Sequence, residues 1–188
     1  MKKILVLCAV IGIFWGLDSF ASAHEAHEHG LAHMNMVVEE KKVEIEITGA
    51  LDNFLSFEHK PETDAQRQEV RNMAALMRNA GALFVFPAEA RCRPEKVSLD
   101  SEVLGQSLLA PEGSRQREAH DHGGKSHEDH GDLDAEISFI CLNQEKLNSV
   151  TVNMFSVFPN LRRMEVQMVT PKGQNAAELS PEASVIRW

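Results

Sequence analysis

Apolar and polar residues alternate through two neighbouring segments near the N-terminus, and this period of two is the strongest constraint on the fold. Residues 31–38 (LAHMNMVV) and residues 43–48 (VEIEIT) each place apolar side chains on one face and more polar side chains on the other. The polar residues 39–42 between them suit a turn. The two segments therefore predict a β-hairpin with one buried face and one solvated face.

Several later segments have the composition of short strands, and one has the period of a helix. The further predicted strands cover residues 96–103, 133–142, 150–153, 164–170, 176–179 and 185–188. The helix begins at a capping box formed by Thr63 and Gln66 and ends at Gly81. Its apolar stripe consists of Val70, Met73, Ala74 and Met77, and Ala80 would extend it. This pattern predicts an α+β domain with a mostly antiparallel sheet of short strands, one main helix and a disordered His/Asp-rich loop.

The first 23 residues are typical of a secretory signal peptide. Lys2 and Lys3 precede an apolar run at 4–17, and Ala21-Ser22-Ala23 has the small-x-small form of a cleavage site. The run is shorter than the ~20 residues of a spanning helix, which argues against a retained anchor. We therefore expect cleavage after Ala23 and a single periplasmic domain over residues 24–188, without a membrane span.

Two cysteines remain after cleavage of the signal peptide. Cys92 and Cys141 would lie in an oxidising compartment, where a disulfide is the expected state. The alternative is that both serve as thiolate metal ligands. We expect the disulfide.

Histidines are concentrated near the predicted mature N-terminus, separated in part by glutamates. This first cluster contains His24, His27, His29 and His33. Imidazole is the commonest zinc ligand and also suits copper and nickel, and carboxylates add oxygen donors. Glu58 and His59, just before Pro61, are further candidates, although a surface or capping role for His59 is the alternative. The alternative for the cluster is a solvated polar leader or a tag.

A second histidine cluster lies in a segment rich in Gly, Ser and charged residues, at about 105–132. Its histidines are His120, His122, His127 and His130. Nothing in this segment is expected to form a core, and its composition predicts a flexible insertion. We expect a tighter site near His29, His33 and His59 and a weaker collecting site in the loop.

Zinc is the expected metal, and copper is the alternative because a free α-amine on His24 would chelate Cu²⁺ together with its imidazole. Motifs for a nucleophile elbow, a phosphate-binding loop, a dinucleotide site or an H-E-x-x-H zinc protease are missing from the sequence, so an enzyme is not expected. The formal net charge is −9, with no basic cluster, which argues against nucleic acid as a partner. A different class, a structural or adaptor module of an envelope complex with solubilising histidine-rich tails, stays open.

Several motifs together resemble a known family. They are His27-Glu28-His29-Gly30-Leu31-Ala32-His33-Met34-Asn35, Phe57-Glu58-His59-Lys60-Pro61, Phe84-Val85-Phe86-Pro87, Phe155-Ser156-Val157-Phe158-Pro159 and Gln167-Met168-Val169-Thr170-Pro171-Lys172-Gly173-Gln174. With the signal peptide, Cys92 and the loop, they are similar to the ZrgA-like periplasmic zinc-binding proteins of Gram-negative bacteria.

The resemblance covers essentially the whole mature chain. It implies zinc binding in the periplasm in support of zinc uptake, alongside membrane transport components, and it does not imply catalysis. Family loops often carry long His-Asp runs, whereas here Gly123-Gly124-Lys125-Ser126 interrupts the run and leaves four loop histidines. The ligand residues named above rest on spacing and chemistry and not on the resemblance.

Overall fold

The structure is a computed structural model that describes residues 28–111, 113 and 131–188. The predicted signal peptide, His24 and His27, and the four loop histidines lie outside these residues. No helix within the described part of the chain has the length and apolar character that a membrane crossing requires.

The described residues form nine strands in two sheets, with four short or medium helices. The strands are β1 (Leu31–Glu39), β2 (Lys42–Ala50), β3 (Phe84–Val85), β4 (Cys92–Asp100), β5 (Asp132–Cys141), β6 (Ser149–Val152), β7 (Arg163–Thr170), β8 (Gly173–Leu179) and β9 (Val185–Arg187). The helices are α1 (Asp64–Arg78), α2 (Ala80–Leu83), α3 (Gln106–Leu109) and α4 (Met154–Val157). The larger sheet has the order β4-β5-β2-β1-β7-β8, and the smaller has the order β3-β6-β9.

The predicted hairpin is confirmed, because β1 and β2 pair in antiparallel register from Ala32 opposite Gly49 to Glu39 opposite Lys42. The α+β class and the mostly antiparallel sheet agree with the prediction. The larger sheet contains one parallel pair among the described strands, between β1 and β7. The entry into β7 explains this pairing. The backbone N–H groups of Arg162 and Arg163 both donate to the carbonyl of Gly30, at 2.8 Å each, so β7 starts beside the start of β1.

The alternating residues of the hairpin supply the core as predicted. Met34 and Met36 of β1 and Ile45 and Ile47 of β2 are each 1% exposed. They belong to one hydrophobic cluster with the apolar stripe of α1, which consists of Val70, Met73, Ala74 and Met77. Burial of each large apolar side chain contributes about 1.5–3 kcal/mol, so this cluster is the main stabilising element of the domain.

Helix α1 begins as predicted and ends earlier than predicted. Thr63 and Gln66 form the capping box. The helix ends at Arg78, where Asn79 leaves the helical conformation and its N–H caps the carbonyls of Ala75 and Leu76. Gly81 lies inside α2 instead. A Cβ atom there would make only an ordinary van der Waals contact with Cγ of Pro94, at 3.4 Å.

The region around β4 also corrects two boundaries. The strand runs from Cys92 to Asp100 rather than over 96–103, with an irregularity between Pro94 and Lys96. The segment 105–132, predicted to contribute nothing to the core, begins too early. Helix α3 lies within it, and Leu109 of this helix is only 1% exposed. The pair Leu108-Leu109 supplies apolar surface that the His/Asp-rich part of the segment lacks. At the other end, Asp132 already belongs to β5.

The predicted disulfide is confirmed. Cys92 of β4 and Cys141 of β5 are directly paired in the antiparallel ladder and joined by an S–S bond of 2.03 Å. Both sulfur atoms are therefore engaged, and the alternative of two thiolate metal ligands does not describe this structure.

Candidate metal-binding site

Three segments of the chain meet at the turn after β2. We call residues 51–58 the 51–58 turn. Leu51 N donates to Gly131 O at 2.9 Å, and Gly131 N donates to Glu58 O at 3.2 Å. The N–H of Gly30 donates to the side-chain oxygen of Asn53 at 2.6 Å. The segment that carries the first histidine cluster and the segment that ends the His-rich loop are thus bonded to the same turn.

The imidazole of His29 lies between two carboxylates of this turn. Its Nε2 is 3.1 Å from Oε1 of Glu58, and its Nδ1 is 3.6 Å from Oδ2 of Asp52. The side chain of His29 is 61% exposed, whereas that of Glu58 is only 12% exposed. The ring is therefore accessible to a ligand from solvent, while the carboxylate behind it is held within the protein.

This arrangement suits metal coordination. A histidine ligand binds the metal through one ring nitrogen and commonly donates its other N–H to a carboxylate, which fixes the ring orientation. Asp52 and Glu58 face different nitrogens of His29, so one carboxylate can hold the ring while the other joins the metal. Imidazole nitrogen and carboxylate oxygen are both ordinary zinc ligands.

His33 has a different neighbour. In the parallel register of β1 and β7 it lies opposite Glu165, with its Nδ1 3.6 Å from Oε2 of that residue. Arg163 reaches Glu28 at 3.0 Å and Glu165 at 4.0 Å on the same exposed surface. Exposed pairs of this kind contribute at most about 1 kcal/mol each. The contacts of His33 therefore belong to the outer face of the sheet, and those of His29 to the 51–58 turn.

His59 is exposed, although it follows Glu58 directly. Its Nδ1 lies 2.9 Å from the carbonyl oxygen of Lys60, and its ring centroid is 5.2 Å from that of Phe57. Of the predicted site residues, the structure thus brings His29 and Glu58 together and shows His33 and His59 in other contacts. Whether each of them binds a metal stays a prediction.

Asp52 and Asn53 were not among the residues predicted from the sequence pattern. A signal for them was present, because in an antiparallel hairpin the residues just after the second strand lie beside those just before the first. With β1 starting at Leu31 and β2 ending at Ala50, polar residues at 52 and 53 had to lie near His29.

The beginning of the His-rich segment is also attached to the core. Arg78, at the end of α1, donates to the carbonyl of Ala74 at 3.1 Å and to the carbonyl of Leu109 in α3. Burial lowers the pKa of Arg78 from its usual value. The two ends of the insertion, at α3 and at Gly131, are therefore fixed by hydrogen bonds to the folded domain.

A complete metal shell is not formed by the described residues alone. Within residues 28–111, 113 and 131–188, no group of three or more His, Cys, Asp or Glu side chains is arranged to hold a metal ion. Zinc in proteins usually has four ligands. His29 and one carboxylate would supply two of them.

Comparison with known proteins agrees with this donor chemistry. None of the curated proteins matches the chain. The family model described as ZrgA family zinc uptake protein matches residues 26–188, which span His27, the 51–58 turn, both disulfide cysteines and the second histidine cluster. This match confirms the resemblance seen in the sequence motifs. The chain belongs to the ZrgA family of zinc uptake proteins.

Proposed function

We propose that this chain is a periplasmic zinc-binding protein that supports zinc uptake, delivery or storage, with its tighter site built on His29. The observation that carries the proposal is the position of the His29 ring between Asp52 and Glu58. Membership of a zinc uptake family supports zinc as the metal. Zinc is the cargo in this function, and no catalytic step is involved.

The other proposed ligands divide between this tighter site and a weaker collecting site in the loop. His27 precedes His29 by two residues, and His130 directly precedes Gly131, whose N–H is bonded to Glu58 O. The tighter site also takes ligands from His33 and His59, whereas the weaker collecting site in the loop consists of His120, His122, His127 and His130, and His24 and His27 collect zinc near the N-terminus. Imidazole and carboxylate ligands bind zinc less tightly than thiolates do, and ordering a segment on binding opposes it further. The site is therefore suited to reversible loading.

The leader and the disulfide support a periplasmic location. Residues 1–23 direct export and are removed after Ala23, and the Cys92–Cys141 bond suits an oxidising compartment. The partners are zinc ions and membrane zinc-transport components. Nucleic acid is not a partner.

Calorimetric zinc titration of residues 24–188 tests the site. Changing His29→Gln should lower zinc affinity by at least about ten-fold, since it removes the ring that Asp52 and Glu58 hold. The comparison variant is His59→Gln. The wild-type His59 ring packs beside Phe57 rather than between the two carboxylates, so this change should have the smaller effect. Equal affinity of the wild type and His29→Gln would refute the proposal.

Removal of the loop separates the two clusters. We expect a variant in which residues 114–130 are replaced by a short Gly/Ser linker to bind fewer zinc ions and to keep the tighter site. Loss of all zinc binding would mean that His29 has no site of its own. Metal analysis of protein isolated from periplasm without added metal distinguishes zinc from copper.

Growth measurements distinguish zinc supply from an adaptor role. A strain lacking this protein should grow poorly when zinc is chelated, and added zinc should restore its growth. A growth defect that zinc does not relieve would favour a structural module of an envelope complex instead.

A further inference from the structure

Asn53 is a buried polar residue beside the candidate site. It is 1% exposed, and it follows Asp52 directly. Its side-chain oxygen accepts a hydrogen bond from Gly30 N–H, and its side-chain nitrogen donates to the carbonyl of Leu31, both at 2.6 Å. A buried amide group is costly unless it is hydrogen-bonded, and both ends of this one are satisfied by the backbone.

These two bonds hold the peptide that follows His29. The N–H of Gly30 belongs to the peptide bond between His29 and Gly30, so its position fixes the C-terminal side of the histidine. Gly30 has φ of +85°, which L-residues rarely adopt, and its carbonyl accepts from Arg162 and Arg163. The backbone next to His29 is therefore held from one side by Asn53 and from the other by the start of β7.

The same turn carries both carboxylates that face the imidazole. Asp52 is the neighbour of Asn53 in sequence, and Glu58 is hydrogen-bonded through its carbonyl to Gly131, which in turn accepts from Leu51. The carbonyl of Asp52 also accepts from the side chain of Asn160 at 2.9 Å, which fixes the turn on its far side. A single side chain thus connects the backbone of His29 to the element that bears its carboxylate partners.

The side chain of Asn53 packs closely against the backbone of Gly49. The backbone of Gly49 lies so close that a Cβ atom on it would be 3.2 Å from the side-chain nitrogen of Asn53. The side-chain amide of Asn53 also offers one acceptor and one donor at the spacing of the Gly30 N–H and the Leu31 carbonyl. Aspartate would keep the acceptor for Gly30 and set a carboxylate against the carbonyl of Leu31.

We propose that Asn53 is a positioning residue of the zinc site, which holds His29 in the orientation that Asp52 and Glu58 require before zinc arrives. This inference rests on the proposed function, because it presupposes that His29 binds zinc. A preorganised ligand loses less conformational freedom on binding, so affinity falls when its support is removed. Supporting residues around metal ligands typically account for about 10–100-fold in affinity.

Zinc titration of Asn53→Ala and Asn53→Asp tests the proposal. Both variants should bind zinc about ten-fold or more weakly than the wild type at a temperature where circular dichroism shows them folded. Val150→Ala is the control for general destabilisation, because Val150 is fully buried in the smaller sheet. It should lower the melting temperature and leave zinc affinity within two-fold of the wild type.

A local readout separates positioning from stability. In the zinc-free protein, ¹⁵N relaxation of the imidazoles should show greater mobility of the His29 ring in Asn53→Ala, with the rings of His33 and His59 unchanged. Wild-type zinc affinity in both Asn53 variants would overturn the proposal. If His29→Gln weakens binding and the Asn53 variants do not, only the positioning role fails; if none of them weakens binding, the site at His29 is itself wrong.

Discussion

Gly131 shows how single residues attach the His-rich insertion to the domain. A Cβ atom at this position would lie 2.2 Å from Cγ2 of Val103 and 2.9 Å from Cδ1 of Leu51. Its N–H and carbonyl are both hydrogen-bonded to the 51–58 turn, so the backbone cannot move away without losing those bonds. We expect Gly131→Ala to reduce the free energy of unfolding by about 1–3 kcal/mol, measured by urea denaturation.

Two further variants test this explanation. Gly105→Ala is the matched control, because a Cβ there would meet only Oγ of Ser107 at 3.8 Å, an ordinary contact. Combining Gly131→Ala with Val103→Ala should cost less than the sum of the two single changes, since the smaller side chain removes the closest clash. Strict additivity would contradict the proposed clash.

The two carboxylates beside His29 should contribute unequally to zinc binding. Glu58 approaches the ring more closely than Asp52 does, at 3.1 Å against 3.6 Å, and its side chain is less exposed, at 12% against 32%. We expect Glu58→Gln to lower zinc affinity by about 10–100-fold and Asp52→Asn to have a smaller effect, measured by competition with a chelating dye. The exposed carboxylate of Glu62 is the control, and Glu62→Gln should bind as the wild type does. The reverse order would make Asp52 the principal partner.

At the scale of elements, predictions based on local signals succeeded. Alternation identified β1 and β2, and the sequence pattern at 63–66 identified the start of α1. Features set by distant contacts were missed or misplaced. Gly81 looked like a helix terminator, but α1 already ends at Arg78 and Gly81 lies within α2. The parallel pairing of β1 with β7 depends on where β7 starts.

In the candidate site, too, local sequence signals identified some residues, and distant contacts determine the others. His29 and Glu58 were identified from residue type, and the structure brings them together. Sequence type alone does not mark Asp52, Asn53 or Gly131 as site residues. Their importance comes from where the folded hairpin places them, beside the end of the hairpin opposite its turn. The histidines at 120, 122, 127 and 130 lie outside the described residues, and their role stays a prediction.

The start of α1 provides a stability test at this scale. Gln66 N–H donates to Oγ1 of Thr63 at 3.2 Å, and Thr63 N–H donates back to Oε1 of Gln66 at 3.1 Å. Thr63→Ala removes the acceptor for Gln66 and should lower the free energy of unfolding by about 1 kcal/mol in urea denaturation. Thr63→Ser keeps the hydroxyl and should stay close to the wild type. Equal losses in both variants would mean that the methyl group, and not the cap, stabilises this region.

At the scale of the whole molecule, the covalent cross-link and the candidate site occupy opposite ends of one strand. Asp132 begins β5 beside the 51–58 turn, opposite Ala50 of β2, and Cys141 ends it. At about 3.4 Å per residue, the strand separates the two by roughly 30 Å. Stability that depends on the disulfide should therefore be separable from zinc binding that depends on His29.

Replacing both cysteines tests that separation. In the chain-entropy model, a bond closing a loop between residues 49 apart contributes about 4 kcal/mol, so Cys92→Ala/Cys141→Ala should unfold at much lower urea concentration. The reduced wild type is the control for the substitutions themselves and should unfold in the same range. At low temperature without denaturant, where the variant is still folded, its zinc affinity should lie within about two-fold of the wild type, because the hydrogen bonds around the 51–58 turn do not involve either cysteine. A fall in zinc affinity in the folded variant would show instead that the disulfide end of the sheet governs the geometry of the histidine end.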